Sequence, residues 1–315
     1  MAKLALLFPG QGAQAVGMGL EVARAFPRAA RAMAESDDAL GFPLSRLCFD
    51  GPAEELLLTA NTQPAILAVS IAILRVLEAE GVAASYAAGL SLGEYSALVA
   101  AGALPLGAAL LLVQKRGRYM QEAVAPGDGA MAAIMGLDEA AVGAACAAAA
   151  QETGGAVTPA NFNCPAQIVV SGHSAAVAAA AEKARAAGAR SVRMLQVSAP
   201  FHCSLMAPAA ARLEPDLLAA PFAPARFPVV ANAAARPVTD PGEVRSLLVL
   251  QVTSPVRWEA SMRFLLAAGV DLFFEVGPGK ALSGFMRRID ENARVVNIQT
   301  PADIQVALDS YREVC

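Results

Sequence analysis

Histidine is scarce in this chain. Two occur in 315 residues, beside one tryptophan and an aromatic share of 5%. Any chemistry that needs an imidazole base must draw on one of two positions. Cysteine is sparse too: Cys48, Cys146, Cys164, Cys203 and Cys315 are odd in number and far apart. Their spacing fits neither a disulfide framework nor a metal site, which leaves reduced thiols and no metal. There is no excess of positive charge, since 24 Lys and Arg face 28 Asp and Glu. A net charge of −4 excludes an overall basic footprint for nucleic acid, although a local basic patch for an acidic partner stays open.

Long unbroken apolar runs are missing as well. Hydrophobic residues make up 56% of the chain, a share that alanine inflates. The longest uncharged stretch, Ser96 to Gln114, contains Gly102, Pro105 and Gly107. It reads as two helices joined by a turn, not as a membrane span. The apolar run after Lys3 stops at Pro9, too short for a signal peptide. No long repeat and no disordered linker is evident. A soluble, cytoplasmic protein of one large or two modest domains is the expectation.

What is present is concentrated at Gly89-Leu90-Ser91-Leu92-Gly93-Glu94, a G-x-S-x-G core. Val82 to Ala88 upstream can form a short strand, and Glu94 to Ala101 downstream is helix-forming up to Gly102. Strand, tight turn and helix form the setting in which a serine hydroxyl is lifted clear of the backbone as a nucleophile. The amide after it, that of Leu92, is then free to meet a developing oxyanion.

Lys3 to Phe8 predicts a central strand, ending in the loop Pro9-Gly10-Gln11-Gly12-Ala13-Gln14. Asn61-Thr62-Gln63-Pro64 predicts a helix start with proline in its first turn, and Gly81 a stop. This alternation implies an α/β fold with a largely parallel sheet. Residues 129–197 differ: strands at Ala130 to Met135, Ala156 to Asn161, Gln167 to Ser171 and Arg190 to Val197 enclose helices at Asp138 to Gln151 and Ser174 to Ala187. That β-α-β-β-α-β order is ferredoxin-like. It predicts a small domain, 128–197, inserted into a large one formed by 1–127 and 198–315. The main sheet resumes near Val229-Val230 and at Asp271 to Val276, and the tail after Thr300 predicts a last helix.

An activated serine needs a base. His173, at a strand-to-helix turn, suits a solvated or capping role. His202 lies where the inserted domain rejoins the large one, which is where a cleft should open, and is the expected base. No acid between serine and histidine has a compelling context; Asp128 and Asp138 sit at turns or helix starts. A backbone carbonyl could orient the imidazole instead.

The loop from Gly10 to Ala15 also fits G-x-G-x-x-A, but Pro9 and the absence of a second strand ending in an acid weigh against a dinucleotide site. The other reading of that loop is a second oxyanion donor, the Gln11 amide. Gly277-Pro278-Gly279-Lys280 lacks the rest of a phosphate loop and reads as a turn opening a helix. Lys115, Arg116 and Arg118 lie on one helix. A solvated face is the expectation for Lys115 and Arg118; one arginine facing the cleft could instead bind a substrate carboxylate in a fork, and local sequence does not choose among them.

In order along the chain, Phe8-Pro9-Gly10-Gln11-Gly12-Ala13-Gln14, Thr62-Gln63-Pro64-Ala65 and Gly89 to Ser96 resemble the malonyl-CoA:acyl carrier protein transacylases, acyltransferases of bacterial fatty acid synthesis. Lys115-Arg116-Gly117, Asn161-Phe162-Asn163, Pro200-Phe201-His202, Gln251 with Pro255-Val256-Arg257-Trp258, and Glu275 to Gly279 continue the resemblance over nearly the whole chain. It implies a hydrolase-like large domain and a malonyl ester on Ser91 with His202 as base. It also implies an oxyanion hole from the Gln11 and Leu92 amides, Arg116 on the malonyl carboxylate, and the Gln251 carbonyl orienting His202. Asn161, Phe201 and Gln63 are implied as pocket residues.

The implied partners are malonyl-CoA and acyl carrier protein, with no cofactor. The composition adds the expectation of no nucleic acid and no membrane, and a monomer is expected although the sequence does not fix the oligomeric state. Lys280, Arg287 and Arg288 are candidates for an acidic carrier's docking patch. A trans-acting polyketide synthase acyltransferase and a serine thioesterase are the rival readings. Leu90 departs from the family, which often has histidine there, and Phe201 resembles the malonyl-type pattern.

Overall fold

A computed structural model describes residues 3–314; Cys315 lies outside them. Five successive apolar residues form β1, Leu4–Phe8, and all five are buried. A strand buried on both faces belongs at the centre of a covered parallel sheet. β1 lies between β2, Tyr86–Gly89, and a strand from near the C-terminus, both parallel to it.

The remaining strands are β3 (Gly129–Met135), β4 (Val157–Cys164), β5 (Gln167–His173), β6 (Ser191–Met194), β7 (Val229–Ala231), β8 (Arg236–Val238), β9 (Leu272–Val276) and β10 (Val295–Ile298). The large sheet has the order β10-β9-β1-β2-β7-β8 and is parallel except for the β7–β8 hairpin. The second sheet has the order β4-β5-β3-β6 and is antiparallel throughout. With helices Glu139–Thr153 and Ser174–Ala186 between its strands, it has the expected β-α-β-β-α-β order.

Several local expectations need correction. The long helix begins at Thr59 and runs to Ala79, so Pro64 sits in its second turn. This helix, rather than Ser96 to Gln114, is long and apolar enough to cross a membrane by length and composition. However, 83% of its apolar window is buried in the protein, which marks it as a core helix. Ser96 to Gln114 instead falls in two helices, Gly93–Ala100 and Leu106–Glu122.

β2 is shorter than Val82 to Ala88. The Ala83 amide donates to the Tyr311 hydroxyl and the Ser85 amide to the Leu4 carbonyl, and the register with β1 starts only at Tyr86. β8 and β10 were not expected from sequence. His173 stands at the N-cap position of the Ser174–Ala186 helix, but its side chain makes no capping hydrogen bond: its Nδ1 accepts the Ala156 amide, pinning the start of β4 to the end of β5. Lys115 is not merely solvated, because it pairs with Asp216.

Candidate active site

The G-x-S-x-G spacing follows from how closely β2 and the next helix approach each other. A Cβ on Gly89 would lie 1.9 Å from the Gly93 carbonyl carbon, and one on Gly93 would lie 2.1 Å from the Phe8 carbonyl oxygen. Only glycine fits at either position. Between them Ser91 takes φ 54°, the left-handed region that a non-glycine residue enters at a cost. The turn is held by Asn232, whose Oδ1 accepts the Ser91 amide at 2.6 Å and whose Nδ2 donates to the Gly89 carbonyl at 2.7 Å.

His202 also has a left-handed backbone, φ 60°. Its Nε2 lies 2.8 Å from Ser91 Oγ and its Nδ1 2.9 Å from the Gln251 carbonyl oxygen. A carbonyl can only accept, so Nδ1 carries the proton and Nε2 is left to accept from the serine hydroxyl. Burial, and next the Arg116 charge, lower the His202 pKa to about 4, against the hydrogen bond to Gln251. The imidazole is therefore neutral near pH 7, as a general base must be. Asp128 and Asp138 play no part here. Asp138 caps the Glu139–Thr153 helix, and the Asp128 carbonyl accepts the Ser174 amide.

Arg116 lies beneath the serine and is 1% exposed. Its Nη1 donates to Gln63 Oε1 at 2.7 Å, and its Nη2 to Ser91 Oγ at 3.1 Å and Gln251 Oε1 at 2.9 Å. The Tyr95 ring lies 5.6 Å from the guanidinium carbon. No carboxylate forms an ion pair with it among the described residues. The other two cations of this helix point elsewhere: Lys115 to Asp216, and Arg118 over the Tyr119 ring.

Glu94 and Asn232 were not singled out from the sequence. Both are buried, and the Glu94 carboxylate accepts the Asn232 amide at 3.0 Å and Gln251 Nε2 at 2.8 Å. Burial raises the Glu94 pKa to about 7, opposed by these hydrogen bonds and by Arg116.

A cleft of about 670 Å³ opens over Ser91 and His202. One wall comes from the 9–14 loop and the Ala281–Ile289 helix, the other from Met131, Asn161, Asn163 and Val169 of the antiparallel sheet. Phe201 and Leu90 also face it, whereas Gln63 does not and reaches the site only through Arg116. The Gln11 and Leu92 amides make no hydrogen bond among the described residues, and their residues flank the serine. The 9–14 loop is followed by no immediate helix; the next begins at Leu20, which does not suit a dinucleotide fingerprint. Gly277 to Lys280 is a turn leading into the Ala281–Ile289 helix, capped by the buried Glu275 carboxylate through the Leu282 and Ser283 amides. Among the described residues no cluster of His, Cys, Asp and Glu could hold a metal ion.

A strained serine bonded to a neutral imidazole, lining a cleft in an α/β fold, defines the class of serine acyl-transfer enzymes. Comparison with known proteins narrows this. The acyl transferase domain family matches residues 5–296. A malonyl CoA-acyl carrier protein transacylase of Bacillus subtilis (strain 168) is 45% identical over 313 residues, 99% of this chain and 98% of the relative. The corresponding structure from Coxiella burnetii superposes with a TM-score of 0.95 at 40% identity, covering 98% and 97% of the two chains. A malonyl-transacylase solved in complex with a type II PKS acyl-carrier protein superposes at 0.96 with 42% identity, covering 98% and 100%. The chain belongs to the acyl transferase family, among its malonyl CoA-acyl carrier protein transacylases.

Proposed function

We propose that this enzyme moves a malonyl group from malonyl-CoA to the phosphopantetheine thiol of acyl carrier protein through an ester on Ser91, supplying fatty acid synthesis. His202 Nε2 takes the Ser91 proton as Oγ attacks the thioester carbonyl. The Gln11 and Leu92 amides meet the oxyanion, and His202 returns the proton to the departing CoA sulfur. The carrier thiol then attacks the ester with His202 again as base, and the proton goes back to Ser91. One thioester is exchanged for another, so the overall reaction is nearly balanced.

The observation that carries this reading is Arg116. A buried cation without an ion-pair partner among the described residues, 3.1 Å from the nucleophile, suits an acyl group that ends in a carboxylate. An acyl group without a terminal carboxylate has no use for it. The fork would bind that carboxylate through charge-assisted hydrogen bonds, each worth about 1.5–3 kcal/mol. Gln63 and Gln251 keep the fork aimed, Asn161 and Phe201 line the acyl and pantetheine path, and the 128–197 insert forms one wall. Every group named comes from a single copy, so the monomer suffices, working in the cytoplasm.

A second reading has the same chemistry but delivers to a polyketide synthase carrier. It is favoured by the likeness to the transacylase solved with such a carrier.

The test is to mix enzyme, malonyl-CoA and holo acyl carrier protein and follow malonyl-carrier by mass. Transfer that vanishes in Ser91→Ala supports the reading. Release of free malonate at the same rate with or without carrier would make the enzyme a hydrolase. Faster loading of a polyketide carrier than of a fatty acid carrier would select the second reading.

A further inference from the structure

Resting on the transfer chemistry just described, we propose that Glu94 is a positioning residue: it fixes the side-chain amide of Gln251, and through that amide the Arg116 fork and the Ser91 backbone. Gln251 is fully buried and bonded at both ends. Its Oε1 accepts from Arg116 Nη2 at 2.9 Å, while its Nε2 donates to the Ser91 carbonyl at 3.0 Å and to Glu94 Oε2 at 2.8 Å. Turned by half a revolution, the amide would set donor against donor at Arg116 and oxygen against oxygen at Ser91 and Glu94. Glu94 Oε2, which accepts from both Gln251 Nε2 and the Asn232 amide, therefore locks the orientation in which an amide oxygen faces the guanidinium.

The result is a relay from carboxyl to amide to guanidinium, in which Gln251 bridges Glu94 and the buried Arg116 cation. The same Oε2 accepts the Asn232 amide at 3.0 Å, and Asn232 holds the Ser91 amide. Glu94 thus reaches the acyl-end cation by one route and the nucleophile turn by the other. It touches neither the serine hydroxyl nor the cleft.

A group that only stabilised the fold would affect all acyl donors alike. A group that aims Arg116 affects malonyl more than acetyl, because acetyl has no carboxylate for the fork. The test measures initial rates of Ser91 acylation, by quenched intact mass, with malonyl-CoA and with acetyl-CoA for wild type and three variants. Glu94→Met keeps the bulk without the acceptor, and Glu94→Asp withdraws the acceptor by one methylene. Both are expected to lose about 10–100-fold on malonyl, as for a lost hydrogen bond to a charged group, and several-fold less on acetyl, so the preference narrows. Glu94→Gln still offers an oxygen to both N–H groups and should keep the preference within about threefold of wild type.

An unchanged malonyl-to-acetyl ratio in the Met and Asp variants would overturn the proposal, however low their rates. So would a Gln variant whose ratio collapses as far as theirs. If Glu94→Met fails to fold, the Asp and Gln pair decides alone. A wild type that takes up no malonyl group would instead sink the transfer reading itself.

Discussion

At the scale of single residues, the site depends on which groups are charged when buried. His202, lowered to about 4 first by burial and then by Arg116, stays a competent base well below neutrality. The acylation rate should hold level from pH 8 to about 5 and fall by half only near pH 4; a midpoint near 6.5 in stopped-flow acylation would contradict this. The sign for stability is the opposite of a salt-bridged histidine. The unfolded chain takes up this proton below its ordinary pKa of about 6.5, so this residue's contribution to stability is lost as pH falls from there toward 4. Arg116→Ala should lower malonyl-CoA kcat/KM by at least about 100-fold, since two charge-assisted hydrogen bonds are removed. Acetyl-CoA turnover should fall far less. Ser91 and His202 could be read as a pair because the elbow motif is local and only two histidines exist. Arg116 could not be chosen among three neighbouring cations from spacing alone, because burial separates them and burial depends on the rest of the fold. Asn232 and Glu94 gave no local signal: their bonds join residues 138 and 141 positions apart.

Among the elements, the decisive one is the β2-to-helix turn. Gly89→Ala and Gly93→Ala each force a methyl group into backbone atoms that cannot move aside. Each should destabilise the protein by about 3 kcal/mol or more, read as a lowered midpoint in urea unfolding, and should abolish acylation. Gly143→Ala, where nothing lies within 4 Å of the added carbon, is the matched control and should unfold near the wild-type midpoint or above it. The elements that were legible are those with strong periodicity or buried apolar runs: β1, β9 and the β-α-β-β-α-β segment. β8 and β10 escaped because they are short and partly exposed; β8 is only Arg236–Val238 and contains a proline. Such edge strands are specified by their neighbours rather than by their own sequence. The start of the Thr59–Ala79 helix was misplaced because Pro64 normally marks a first turn, whereas here it is tolerated further in.

For the whole molecule, the two sheets meet over Ser91, and the cleft between them must admit first a CoA thioester and then a carrier-borne thiol. An acidic carrier calls for cations at the rim. Of the three candidates, Arg288 is already occupied, donating to Gln167 and to the Pro165 carbonyl and so tying the β4–β5 turn to the Ala281–Ile289 helix. Lys280 and Arg287 make no ion pair among the described residues; Lys280 precedes and Arg287 lies in the last turn of the Ala281–Ile289 helix, whose Ala281, Leu282 and Phe285 line the cleft. The double reversal Lys280→Glu with Arg287→Glu should raise KM for carrier about tenfold, with the effect shrinking in salt, and leave acylation by malonyl-CoA unchanged. Equal loss in both half-reactions would place the carrier elsewhere. The ordered set of short blocks along the chain made this two-sheet architecture legible, while the docking rim was not, because it is assembled from separate loops.

The central claim is a covalent malonyl-serine formed under the control of a buried arginine. It is tested most directly by intact-mass analysis after brief exposure to malonyl-CoA, with peptide mapping of the adduct and addition of holo carrier. A single malonyl group on Ser91, absent in Ser91→Ala, scarce with acetyl-CoA and discharged by the carrier, is the predicted result. CoA release with no adduct, or an adduct at any residue other than Ser91, would contradict it.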